Sequence, residues 1–120
     1  MQQLKIKRTQ VSLKIIIEDN IYSVDIPEDV TQNGETFFSK LDSDMDKGWQ
    51  MSRQWVDKPD SLQRCQIVAD RLADAISNEN EMLTYLLAGY IVSRLPGVQE
   101  VHIDTEGEIS ETRFKSGQAQ

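Results

Sequence analysis

The chain has 120 residues, and its 38% hydrophobic and 28% charged residues are the proportions of one globular domain rather than of a disordered chain. A formal net charge of -7 argues against nucleic-acid binding and against docking on anionic membranes, because both need a basic surface. The single cysteine cannot form an internal disulfide, and the first eight residues are too polar for a secretory leader, so we expect a cytoplasmic protein.

The first predicted element is a β-hairpin. In residues 11–17 every second residue is apolar and several are β-branched, a pattern typical of a half-buried strand. The turn-forming residues 18–20 reverse the chain into a second alternating strand at residues 21–26, which Pro27 ends. Leu4 and Ile6 are apolar in the opposite phase, which predicts a bulge at residues 8–10.

Three helices are predicted next. The first covers residues 34–56, where apolar residues recur with helical spacing and where Gly48 could bend or divide the helix. The second begins at Asp60, which can form a capping box with Gln63. The third, residues 80–94, is apolar on most sides and is expected to be central. Its Ala88 and Gly89 could let Ala69 and Ala73 of the second helix approach closely. The apolar stripe of the second helix consists of Leu62, Cys65, Ala69, Leu72 and Ile76.

A last hairpin is predicted at residues 101–114, with its turn at Thr105, Glu106 and Gly107. The order is therefore β-β-α-α-α-β-β, in one α+β domain at residues 1–114 with a flexible tail at residues 115–120. Because isolated hairpins are marginally stable, we expect the two to join in one mainly antiparallel sheet with the helices packed on one face. A basic first strand and an acidic last hairpin would then form cross-strand pairs, within one subunit or between two.

One candidate metal site is acidic. Asp42, Asp44 and Asp46 alternate with other residues, as the first ligands of calcium loops do, and the pattern resembles the start of an EF-hand loop. It departs from that loop twice, because its glycine comes one place late and Arg53 stands where a bidentate acid is needed. The alternative interpretation is a solvated acidic helix face, and we expect no metal and no other cofactor.

A candidate acid-base site contains the single histidine. In a strand, Glu100, His102 and Asp104 would project from the same face, where they could bind a metal or act as a general base. The alternative is a polar outer face on which the acids pair with Lys5 or Lys7. Cys65 lies on an apolar stripe with no nearby histidine to activate it, so we expect a structural role for it.

A candidate partner-binding surface contains Trp49, Arg53 and Trp55. Tryptophan and arginine are the side chains most enriched at binding hot spots. On a regular helix the two tryptophans would lie about 120° apart, so both cannot be central to one buried stripe. We therefore predict a non-catalytic interaction or accessory protein that binds a protein partner or itself. The alternative is a small metal-dependent or acid-base enzyme that uses Glu100, His102 and Asp104.

Overall fold

The computed structural model describes residues 11–116 of the chain, so the predicted bulge at residues 8–10 lies outside the described residues. These residues form an α+β fold with four helices, a four-stranded mixed sheet and a separate two-stranded hairpin. The elements in chain order are β1 (Val11–Ile17), β2 (Asn20–Ile26), α1 (Glu28–Asn33), α2 (Glu35–Met45), β3 (Trp49–Met51), β4 (Gln54–Val56), α3 (Ser61–Ser77), α4 (Glu81–Arg94), β5 (Val98–Ile103) and β6 (Arg113–Ser116).

The first and last hairpins join in one sheet, as predicted, in the strand order β2-β1-β5-β6. The pairs β1–β2 and β5–β6 are antiparallel, whereas the central pair β1–β5 is parallel. A parallel pair needs a crossover connection, which the helices between β2 and β5 supply. Lys14 of β1 is the register partner of Glu100 of β5, so one of the expected cross-strand pairs of opposite charge is present.

One face of this sheet holds the core. Leu13 and Ile15 of β1, Val24 of β2 and Val101 of β5 are buried, and α3 and α4 contact the sheet through β5 and β2. On the opposite face the side chains of Ser12, Lys14, Ser23 and Asp25 are exposed. The alternation along β1 and β2 follows from the two-residue period of a strand.

The two long helices begin at the side-chain caps that their sequences indicate. Asp60 accepts from the Gln63 amide at 2.8 Å and donates its own amide to the Gln63 side chain, which completes the predicted capping box of α3. A Cβ at Gly89 of α4 would meet Val30 of α1 and Phe38 of α2, so the predicted close approach to α3 was wrong for this glycine. Leu62 was also misassigned to the buried stripe, because it is exposed.

The predicted helix over residues 34–56 ends at Met45, and the rest of that segment forms the antiparallel hairpin β3–β4. Gly48 has a φ of 98°, which no helix accommodates, and Ser52 has a φ of 59° in the hairpin turn. Trp49 follows Met45 at helical spacing, so periodicity alone extended the helix too far. The short helix α1 was not predicted, because Pro27 at its start was interpreted only as the end of a strand.

The last hairpin forms with a longer first strand, a shorter second strand and a longer loop than predicted. β5 begins at Val98, and a 3-10 turn at Ile109–Glu111 lies between the two strands. Gly107 has a φ of 85°, the conformation expected of a glycine in the turn. Strand β6 continues to Ser116, so Lys115 and Ser116 are paired residues rather than part of a tail. Within residues 11–116, no helix is long and apolar enough to cross a membrane.

Candidate functional site

The hairpin β3–β4 places the two tryptophans on opposite faces. Trp49 is the register partner of Val56, is half-buried and packs against the core, as does Met51, which is buried. Trp55 pairs with Gln50 on the other face, and 54% of its surface is exposed. We name the exposed residues Gln50, Arg53 and Trp55 the hairpin surface; Trp49, the third predicted partner-binding residue, lies behind it.

The exposed indole of Trp55 is held at two points. Its Nε1 donates a hydrogen bond to Asp57 Oδ1 at 2.9 Å. Its six-membered ring lies so close to Gly48 that a Cβ there would be 2.3 Å from Cζ2. The glycine therefore serves both the positive φ of the turn and the close approach of the ring. Trp55 is thus a large apolar side chain that is both solvent-exposed and fixed in position.

Hydrogen bonds of Ser52 connect the hairpin β3–β4 to the loop between β5 and β6. The Ser52 hydroxyl donates to the carbonyl of Gly107 at 2.7 Å and accepts from the amide of Ile109 at 3.0 Å. Gln50 Nε2 donates to the carbonyl of Ser52 at 2.9 Å across the turn. The hairpin surface is therefore a pre-formed part of the fold rather than a loose loop, although it is built from strands of only three residues.

The proposed acid-base trio is only partly assembled. His102 Nε2 lies 3.1 Å from Glu100 Oε1 on the outer face of the sheet, and both side chains are about 30% exposed. The hydrogen bond with His102 lowers the pKa of Glu100, and Lys115 and Lys14 add to that effect against partial desolvation. The strand β5 ends at Ile103, so Asp104 lies beyond it.

The carboxylate of Asp104 is occupied by the backbone of its own loop. Asp104 Oδ2 accepts from the amide of Glu106 at 2.9 Å and from the amide of Glu108 at 2.8 Å. The backbone amide of Asp104 in turn donates a hydrogen bond to the hydroxyl oxygen of Thr112 at 3.0 Å. Such bonds stabilise a tight turn, and they account for this carboxylate without a role in proton transfer.

The acidic residues 42–46 lie at the end of a helix rather than in a metal-binding loop. Asp42 and Asp46 each bind arginine side chains, whereas Asp44 is exposed and forms no ion pair among the described residues. Within residues 11–116, no three histidine, cysteine, aspartate or glutamate side chains are arranged to hold a metal ion. The helical geometry explains this, because residues two apart on a helix do not share a face.

Asp42 is the centre of a charged network that the sequence did not suggest. Its carboxylate receives hydrogen bonds from the Tyr90 hydroxyl at 2.5 Å and from Arg94 Nη2 at 2.7 Å, and Arg64 Nη1 lies 3.3 Å away. Arg94 also pairs with Glu35, and its guanidinium lies 4.9 Å from the centre of the Tyr90 ring. The only sequence signal was the i, i+4 spacing of Tyr90 and Arg94 on an otherwise apolar helix.

This network joins three helices. Asp42 belongs to α2, Arg64 to α3 and Arg94 to α4, and the two arginine side chains are only 13% and 22% exposed. Burial alone would raise the pKa of Asp42, but its hydrogen bonds with Tyr90, Arg94 and Arg64 outweigh that effect and lower its pKa below the ordinary value of 3.8. The charged side chains of this network thus bind one another, which indicates a structural role.

The lowered pKa of Asp42 predicts a pH dependence of stability. Because the folded-state pKa lies below the unfolded value of 3.8, the network stabilises the protein fully above that value and loses its effect as the pH falls through the folded-state pKa. The free energy of unfolding of the wild type should exceed that of Asp42→Asn at pH 6, and the difference should shrink below pH 3.8. Urea titrations at a series of pH values measure this difference, and a gap that stays constant from pH 6 to pH 2.5 would contradict it.

Cys65 is fully buried in α3, as its place on the apolar stripe predicted. Burial raises the pKa of its thiol to about 12, so the nucleophilic thiolate is scarce at neutral pH. The residue packs among the core side chains, where its exposure is 0%. Its position agrees with a structural role.

Three predicted groups of residues therefore have different surroundings. The hairpin surface is exposed and fixed, the Glu100–His102 pair lies on the outer sheet face, and the residues around Asp42 are engaged with one another. No family model, curated protein or solved structure matches this chain.

Proposed function

We propose that this protein is a non-catalytic binding protein that recognises a protein partner through the hairpin surface of Gln50, Arg53 and Trp55. The observation that carries this proposal is the half-exposed indole of Trp55, fixed by Asp57 and by the close approach to Gly48. A side chain that is already ordered loses little conformational entropy when it is buried by a partner. Exposed tryptophan is also the residue type that most often dominates binding energy.

The side chains of the hairpin surface indicate which chemical groups a partner would need. The indole calls for an apolar pocket, and Gln50 beside it offers amide groups for hydrogen bonds. Arg53 is exposed in the adjoining turn and forms no ion pair among the residues that the structure describes. A carboxylate at the rim of the partner's pocket would complement this arginine.

The test compares the partners bound by the wild type and by Trp55→Ala, Arg53→Ala and Met82→Ala. Met82 is the control because it is a similarly exposed apolar side chain, 62% exposed, on α4. Proteins captured from a native lysate are quantified, and the affinity of each recombinant partner is then measured. We expect Trp55→Ala to weaken binding by about 30-fold or more, as for a hot-spot residue, and Met82→Ala to leave it within twofold.

A second variant tests whether fixing the indole matters. Asp57→Ala keeps the tryptophan but removes the acceptor that orients Trp55 Nε1, so binding should weaken by roughly 3- to 10-fold through lost pre-organisation. Sedimentation of the wild type from low to high concentration shows whether the partner is a second copy of this chain. Retention of every partner, and of any self-association, by both Trp55→Ala and Arg53→Ala would refute the proposed surface.

A further inference from the structure

A groove of about 540 Å³ opens along the free edge of the four-stranded sheet. One wall is β2, through residues 22–25. The other wall is formed by the end of α3 and the start of α4, through Ile76, Glu79, Thr84 and Tyr85. The groove shares no residue with the hairpin surface, so its function can be tested independently of the function proposed above.

In the part of the chain that the structure describes, no strand pairs with β2 on the side that faces this groove. Within the described residues β2 pairs only with β1, and it is the outermost strand of the sheet. The hairpin turn has two residues, which places Ile17 and Asn20 in a hydrogen-bonded pair. Alternation along the ladder then directs the amide and carbonyl groups of Ile21, Ser23 and Asp25 away from β1. An incoming extended chain could pair with these groups.

The floor of the groove is suited to apolar side chains. Tyr22 is 37% exposed beside the buried Val24, and Ile76 and Tyr85 of the helices are half-buried opposite them. A fifth strand along β2 would direct every second side chain onto this floor, because side chains alternate between the faces of a sheet. Ile21, which is 63% exposed on β2, would be partly covered by the neighbouring strand.

The charged residues around the groove are all acidic. Asp25, Glu79 and Glu81 line it, and no lysine, arginine or histidine does. Two of these acids are held in place, because Asp25 accepts from the Ser12 hydroxyl at 2.6 Å and Glu81 accepts from the Tyr85 hydroxyl at 3.1 Å. A strand whose outward side chains are lysine or arginine would complement this rim, whereas an acidic strand would be repelled.

We propose that this groove binds an extended segment of a protein partner, in which apolar residues alternate with lysine or arginine, as a fifth strand along β2. Main-chain hydrogen bonds to the free edge provide the affinity, and the apolar floor and the acidic rim provide the sequence preference. The same edge in an unoccupied state is protected from non-specific pairing by the charge of Asp25 and by the acidic rim.

The first experiment titrates the full chain with a capped seven-residue peptide of alternating valine and lysine. We expect saturable binding by calorimetry, and NMR amide shifts concentrated in residues 21–26. Two control peptides are used: one has glutamate in place of lysine, and the other has N-methyl groups on alternate backbone nitrogens. Both should bind at least 10-fold more weakly, because the first reverses the charge and the second removes the strand's hydrogen-bond donors.

Two substitutions of Ser23 separate backbone pairing from side-chain effects. Ser23→Pro removes an outward-facing N–H, a change that edge strands tolerate, and it should weaken binding of the valine–lysine peptide at least 10-fold. Ser23→Ala keeps the N–H and should leave binding within twofold. If Ser23→Pro fails to fold, the N-methylated peptide gives the same information on the wild type. Glu79→Gln combined with Glu81→Gln should weaken binding and reduce its dependence on salt.

Three outcomes would overturn the proposal. Peptide binding that is equal for Ser23→Pro and Ser23→Ala would exclude strand addition, and equal binding of the lysine and glutamate peptides would exclude the acidic rim. The chain also contains its own alternating basic segment, Leu4 to Arg8. If the wild type binds no peptide but the triple variant Lys5→Glu, Lys7→Glu, Arg8→Glu does, the occupant is this chain's own segment rather than a partner.

Discussion

Replacing Phe38 with alanine is expected to reduce the free energy of unfolding by about 3–5 kcal/mol. Phe38 is 1% exposed and packs edge-on against Tyr90, with ring centres 6.0 Å apart, and the Arg94 guanidinium lies 5.7 Å from its ring. The ring also fills the space left by two glycines, because a Cβ at Gly34 or Gly89 would lie 2.8 or 3.1 Å from Phe38 Cζ. With no side chains there to collapse inward, the cavity would stay open.

The measurement is urea unfolding of the wild type and of Phe38→Ala at 25 °C. Thermal unfolding of the same two proteins should show a midpoint temperature lowered by roughly 10–20 °C in the variant, because each kcal/mol lost shifts it by about 4 °C in a domain of this size. Phe37→Ala is a matched control, because Phe37 is the adjacent phenylalanine on α2 but is only partly buried. A larger destabilisation by Phe37→Ala than by Phe38→Ala would contradict the packing described.

Replacing Asp42 with alanine is expected to reduce the free energy of unfolding by about 2–3 kcal/mol. The substitution leaves the Tyr90 hydroxyl without its acceptor and removes one partner from two largely buried arginines. The effect should fall below that of breaking an isolated buried ion pair. Arg64 keeps Asp46 at 2.6 Å, and Arg94 keeps Glu35 at 3.1 Å.

Asp44→Ala is the matched control for this second prediction. Asp44 lies two residues away in the same acidic segment but is exposed, so its loss should change stability by no more than about 0.5 kcal/mol. Urea unfolding near pH 7 measures both variants. Equal effects of Asp42→Ala and Asp44→Ala would mean that the network joining α2, α3 and α4 contributes nothing measurable to stability.

The elements with strong local signals were predictable from the sequence. The capping box of Asp60 and Gln63, the alternation in β1 and the apolar helix α4 all depend on residues close together in the chain. The joining of the two hairpins was also predictable, because neither could bury an apolar face alone. The parallel pairing of β1 with β5 could not be predicted, because a strand shows the same hydrophobic alternation in a parallel and in an antiparallel pair.

At the hairpin surface the exposure of residues was predicted while their secondary structure was misassigned. Trp55 and Arg53 are exposed, as the sequence analysis expected of at least one tryptophan, yet they lie on a hairpin and not on a helix. Trp49 fits a helical spacing after Met45 and a strand spacing before Met51 equally well. The contact between Trp55 and Gly48 and the hydrogen bonds of Ser52 to the β5–β6 loop favour the strand.

The sequence by itself determined the α+β class, the two terminal hairpins and the limits of the long helices, because periodicity, capping and turn chemistry act over a few residues. Only the tertiary structure decided that Asp42 meets Arg64 and Arg94 and that a groove flanks β2. Each of these depends on how helices and strands distant in sequence pack together. Local sequence patterns carry no information about the distances between such helices and strands.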